Sequence, residues 1–140
     1  MSEQAERLKE RARRFALDIV RLIKLLPVSD PGPTVRKQLA RSATSIDLNY
    51  RAACRARTHA EFTARIGVVA EEAEETASWL DFIGEAGLLT SAALPHLQRE
   101  STELVAIFSA CVGTARRNER KRRCLNKACI LKNLAEMCRG

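Results

Sequence analysis

The chain has 140 residues, 46% of them apolar, with a formal net charge of +7. That length accommodates one domain with a substantial core, and that apolar content excludes a disordered chain. No run of 18 uncharged apolar residues occurs, so no membrane span and no membrane partner are expected, while the positive charge directs attention to polyanions.

The N-terminal stretch Met1 to Arg14 carries Glu3, Glu6 and Glu10 and lacks the apolar centre and cleavage site of a secretory signal. From it grows the first amphipathic segment, with Leu8, Ala12, Phe15, Ile19, Leu22 and Leu26 at alternating spacings of four and three. The pattern stops at Pro27, and Ser29-Asp30-Pro31-Gly32-Pro33 has the chemistry of a loop. The second segment repeats the spacing with Val35, Leu39, Ser42, Ile46, Asn49 and Ala53. Thr58 with Glu61 three places on predicts a capping box opening the third segment, whose seam is Phe62, Ile66, Val69, Ala73, Thr76, Leu80 and Ile83. After Gly84 to Gly87 a fourth begins near Ser91 and reads Leu94, Leu97, Ser101, Leu104, Phe108, Cys111 and Ala115. Pro95 falls in its first turn, where a missing N–H is harmless.

These segments predict helices over about 5–26, 34–57, 59–84 and 91–118. Their matched lengths and short connections predict an all-α, antiparallel up-down-up-down four-helix bundle. Residues 119–140 form a basic, cysteine-containing tail, either a helical extension or a disordered end. Apolar residues also lie off the seams: Leu17 and Val20, then Val68, Trp79 and Phe82, then Val105 and Val112. A broad core stripe or a second face for subunit contacts accounts for them. Ser42, Ser45 and Asn49 make the second seam polar, which suits fixing register or, less simply, lining a ligand site.

Charge is banded along the chain. Six bases and one acid, Asp47, lie between Thr34 and Ala60; eight acids and two bases follow to Glu100; nine bases and two acids lie from Arg116 onward. The candidate phosphate contacts are therefore Arg36, Lys37, Arg41, Arg51, Arg55 and Arg57 on the second helix. To these the fourth adds Arg116, Arg117, Arg120, Lys121, Arg122 and Arg123. The competing use of the second-helix arginines is pairing with the glutamates of the third helix. The six aromatic residues fall mostly on apolar faces, so binding to RNA or DNA should be led by the backbone rather than by stacking on bases.

Catalytic chemistry finds little footing. A di-iron bundle needs Glu-x-x-His pairs, but His59 and His96 follow Ala56 and Ala93. Cys124, Cys129 and Cys138 are spaced too widely for a structural zinc site and have no histidine nearby. With Cys54 and Cys111 they read as free thiols of a reducing, cytoplasmic compartment. No glycine-rich phosphate loop is present. No catalytic residue, metal or cofactor is expected, and the protein is read as a non-enzyme.

Three stretches carry a signature: Arg41-Ser42-Ala43-Thr44-Ser45-Ile46-Asp47-Leu48-Asn49-Tyr50-Arg51, then Arg55-Ala56-Arg57 with Glu61-Phe62, then Glu71-Glu72-Ala73-Glu74-Glu75-Thr76 with Trp79-Leu80. Over about Phe15 to Asn118 the chain resembles the bacterial four helix bundle protein family. That family is named for proteins encoded in intervening sequences of 23S ribosomal RNA genes. It is related to the accessory variability determinant of diversity-generating retroelements. The resemblance implies a cytosolic homo-oligomer, a homopentameric barrel, in which Ser42, Ser45, Asn49 and Glu75 match signature positions. It also implies a non-enzymatic, basic partner of RNA or of a reverse transcriptase in the retroelement branch. A ring that engages another protein without binding nucleic acid is the alternative. Lys121 to Gly140 has no counterpart in the resemblance.

Overall fold

The structure, a computed structural model, describes residues 2–139 and contains four α-helices and, among the described residues, no strand. They are α1 (Glu3–Ile23), α2 (Gly32–Cys54), α3 (His59–Glu85) and α4 (Ala93–Met137). Each helix packs on its two neighbours around a square, α1 on α2, α2 on α3, α3 on α4 and α4 on α1, with the α1–α4 seam the thinnest. Short connections between consecutive helices make this the expected up-down-up-down bundle.

The helix ends follow from local chemistry. Ser2 accepts the Ala5 N–H at 3.2 Å, and Glu3 and Glu6 sit in the first turn of α1, where the helix dipole favours negative charge. α2 begins two residues earlier than the spacing predicts because Gly32 can tuck under the Pro27 carbonyl, where a Cβ would lie 1.9 Å from the oxygen. Thr58 accepts the Glu61 N–H at 3.0 Å, and the Glu61 carboxylate reaches back to the Arg57 N–H at 3.1 Å. That reciprocal cap starts α3 and obliges residues 55–57 to leave α2, which ends at Cys54 rather than at 57. Gly87 closes α3 with φ of +62°, its N–H on the Gly84 carbonyl and the Leu88 N–H on that of Ile83. This pair of bonds is a Schellman motif, and it requires the left-handed conformation glycine adopts freely.

α4 meets no such stop. Neither glycine nor proline occurs between Thr114 and Arg139, and the helix runs for 45 residues, roughly 68 Å. Its last buried residue is Ala115, and residues 119–137, the expected tail, continue the same helix into solvent.

The core is filled by the seams. Phe15, Ile19, Leu22, Val35, Leu39, Ile46, Ile66, Val69, Leu80, Ile83, Leu104 and Phe108 are its largest enclosed side chains. Four seam positions differ from expectation. In α2 the buried stripe turns through Asp47 and Tyr50, and Asn49 is only half-buried, its amide donating to the Ser45 carbonyl of its own helix at 2.9 Å. α2 touches α1 as well as α3, so its buried face is broader than one seam. Val112 takes the enclosed position that the spacing gives to Cys111, and Leu8 and Phe62 are half-buried at the bundle end.

Polar seam residues are paired. The Ser42 and Thr76 hydroxyls, both fully enclosed, lie 2.9 Å apart across α2 and α3, with the Leu39 and Glu72 carbonyls as their backbone partners. Such a bond favours one register of α2 against α3, because a slip of one turn would lose it and leave each hydroxyl only its own helix carbonyl. The sparse α1–α4 seam is closed by Arg11. Its guanidinium lies 2.6 Å and 2.8 Å from the two Glu100 oxygens and also pairs with Glu103. That contact holds the Glu100 carboxyl below the usual carboxylate range, against the opposing effect of burial.

Two outcomes follow for stability. Gly32→Ala forces a methyl group onto the Pro27 carbonyl, and denaturant unfolding should show a loss of about 2 kcal/mol, the scale of overpacking. Glu100 has its folded-state pKa depressed, so its contribution is present above the unfolded carboxylate value, about 4.3, and is lost as pH falls through the folded one. The parent should therefore melt above Glu100→Gln at pH 7, and the gap between their Tm values should narrow by pH 3.

Candidate nucleic-acid interface

The twelve expected cations do not form one surface. Arg36 is turned onto the chain: its Nε donates to the Ile23 carbonyl at 3.1 Å and its Nη2 to the Leu26 carbonyl at 2.9 Å. It thereby satisfies carbonyls left over at the end of α1, a structural use of a residue that the sequence offers as a phosphate contact. Lys37 beside it is exposed, with no carboxylate within 4 Å among the described residues. Arg41 bridges to α3, 3.2 Å from Glu72 and 2.5 Å from Glu75, and its hydrogen bond lowers the Glu75 pKa. The pairing of second-helix arginines with third-helix glutamates is thus realised at this one arginine.

Arg51 is engaged within the bundle as well. Asp47, almost wholly enclosed, accepts from Arg51 at 2.8 Å and from Arg13 of α1 at 2.6 Å. This triad was legible only in part: Asp47 and Arg51 stand four apart, a natural helical pair, but nothing in the spacing announces Arg13. Ser42 is enclosed; Ser45 and Asn49 are half-buried beside it. The Tyr50 ring packs at a tilt on Phe108, centroids 5.4 Å apart, and burial, with Cys54 beside it, raises the pKa of the phenol.

The remaining cations gather at one end. His59, in the first turn of α3, places its Nε2 3.0 Å from the Ala115 carbonyl of α4. That contact brings Arg55 and Arg57, just before α3, to the place where α4 leaves the bundle through Arg116 and Arg117. A shallow cleft there is lined by Ala52, Arg55, Arg57, Glu61 and Arg65. Beyond it Arg120, Lys121, Arg122 and Arg123 are exposed along α4. Arg117 donates to the Thr114 hydroxyl at 3.1 Å, and Arg123 pairs with Glu119 at 2.6 Å. Arg55, Arg57, Arg116, Arg120, Lys121 and Arg122 have no side-chain carboxylate within 4 Å among the described residues. Arg36 and Lys37 lie at the opposite end, 19 residues and about 28 Å up α2 from Arg55. Among the described residues no three of His, Cys, Asp or Glu converge as a metal-ligating group, and no helix is long and apolar enough to cross a membrane.

These features define a four-helix bundle with one strongly basic end and a helix that overruns its core. The profile of the 23S rRNA-intervening sequence proteins matches residues 6–110, and the chain belongs to that family. Its structure is similar to that of a protein of unknown function from the S23 ribosomal protein family of Bacteroides thetaiotaomicron, with 28% sequence identity and a TM-score of 0.66. The similarity covers 74% of this chain and 96% of that one. No curated protein matches this chain.

The split assignment has a direct consequence. Arg36→Ala should lower unfolding stability by about 1–3 kcal/mol, the scale of hydrogen bonds from a charged donor, while nucleic-acid affinity stays within twofold of the parent in fluorescence anisotropy.

Proposed function

We propose that this chain is a non-enzymatic, homo-oligomeric bundle protein that holds RNA or DNA by its phosphate backbone. In that role it serves as an accessory protein of a ribosomal RNA intervening sequence or of a retroelement reverse transcriptase. The observation that carries the reading is the gathering of Arg55, Arg57, Arg116, Arg120, Lys121 and Arg122 at one end, where among the described residues none has a side-chain carboxylate within 4 Å. Cations held that way release counterions when they meet phosphates, which gives affinity without a shaped pocket. Repetition of the same end around an oligomer, a pentamer by family resemblance, multiplies weak contacts through effective concentration. The aromatic side chains favour backbone contact over base stacking, since Phe15, Tyr50 and Phe108 are committed to the core. The non-enzymatic reading is supported by His59, whose ring is occupied with the Ala115 carbonyl.

The test is a salt titration of binding to duplex RNA and DNA. If about five phosphates are neutralised, log K should fall against log salt with a slope of roughly −4.5. Arg120→Glu with Lys121→Glu should weaken binding at least tenfold, as should Arg55→Glu with Arg57→Glu, whereas Lys37→Glu should leave it within twofold. Absence of binding at low salt, or equal damage from Lys37→Glu, contradicts the reading and favours a ring that engages a protein instead.

A further inference from the structure

The family match ends at residue 110, yet α4 continues to Met137, so the last turns need an explanation of their own. After Ala115 the positions that would carry on the core stripe are Glu119, Arg122 and Asn126, all polar. Apolar character then returns. Ile130, Leu131, Leu134, Met137 and Cys138 follow the spacing i, i+1, i+4, i+7, i+8 and share one face of the helix. The four large ones are 58%, 67%, 53% and 79% exposed, a second apolar surface separated from the core by about 22 Å of polar helix.

Something must cover that face, and the geometry narrows the choice. The tail cannot fold back on its own bundle, because no glycine or proline after Gly113 interrupts the helix before its end. Pairing between two tails sets like charges together, with nine bases against two acids from Arg116 onward. The complementary surface lies on α3. Among the described residues seven acids have no cation within 4 Å, and four of these, Glu71, Glu74, Asp81 and Glu85, lie on the side of α3 turned away from the core. Among and beside them are the exposed Phe82 and Val68, with Trp79 edge-on to Phe82 at 5.7 Å. Glu71 to Glu85 spans about 21 Å and Lys127 to Arg139 about 18 Å, so the two faces match in length.

We infer that the distal part of α4 in one copy docks along the outer face of α3 in a second copy. Ile130, Leu131 and Leu134 cover Phe82 and the edge of Trp79, while Lys127, one turn earlier on the same face, meets the uncompensated acids. Every copy carries both halves of the contact, which is heterologous and so propagates around a closed ring or along a filament. The inference rests on the association of copies proposed above and is independent of nucleic-acid binding.

Zero-length carbodiimide coupling of full-length protein, mixed from 14N- and 15N-labelled batches in the absence of nucleic acid, tests it. Peptides joining Lys127 of one isotope to Glu71, Glu74, Asp81 or Glu85 of the other are expected. Leu131→Asp with Leu134→Asp, both at exposed positions, should reduce those links at least tenfold without changing the helical circular dichroism. Links confined to one isotope, links from tail to tail, or no links overturn the inference. So does protection of the tail lysines from acylation only when phosphatidylglycerol vesicles or duplex RNA is added, which would assign the face to lipid or nucleic acid. An oligomer whose mass is unchanged in the double variant and that shows none of these links removes tail docking while leaving association intact.

Discussion

Four apolar stripes closing on one interior fix everything else in this protein, because their register decides which charges meet and which are left over. Ser42 and Thr76 set α2 against α3 within the dry core, and with that register Arg41 falls opposite Glu72 and Glu75. Asp47 turns inward between Arg13 and Arg51 in the same way, tying α1 to α2 through a carboxylate that is almost wholly enclosed. Removing both arginines would leave the enclosed Asp47 carboxylate without a partner, which costs more than the bonds themselves contribute. The central basic residues of α2 are thus part of the scaffold.

What the scaffold does not absorb defines the functional surface. α2 and α4 deliver their remaining cations to one end, where His59 anchors the start of α3 to the last buried turn of α4. Past that turn there is no facing helix to supply acids, and only Arg123, paired with Glu119 of its own helix, is compensated among the described residues. The outer face of α3 carries the opposite excess, with Glu71, Glu74, Asp81 and Glu85 more than 4 Å from any cation among the described residues. Separation of charge on one rigid body is the feature on which both proposals, phosphate binding at one end and docking between copies, are built.

Helix identity and most of the core were legible because the 3.6-residue period acts residue by residue. The α3 seam from Ile66 to Ile83 is buried as its spacing requires. The Thr58–Glu61 cap was legible for the same local reason. Misplaced features were those set by tertiary context. Asn49 yielded its place to Asp47 and Tyr50 because α2 packs on two neighbours. Arg36 was taken for a phosphate ligand because sequence does not reveal that the carbonyls of α1 end within its reach. The exposed apolar face at Ile130 to Met137 escaped notice within a segment read mainly for its charge. Its period lies there in plain view, but the partner proposed for it belongs to another copy of the chain.

The central claim is that the register of the core leaves one end of the bundle, and not the other, free to hold phosphates. Amide hydrogen exchange of the assembled protein with and without duplex RNA at low salt addresses it most directly. The account predicts slowed exchange at residues 55–60 and 112–123 with no change over residues 32–41. Slowing concentrated at residues 32–41, or spread evenly over the surface, would contradict it.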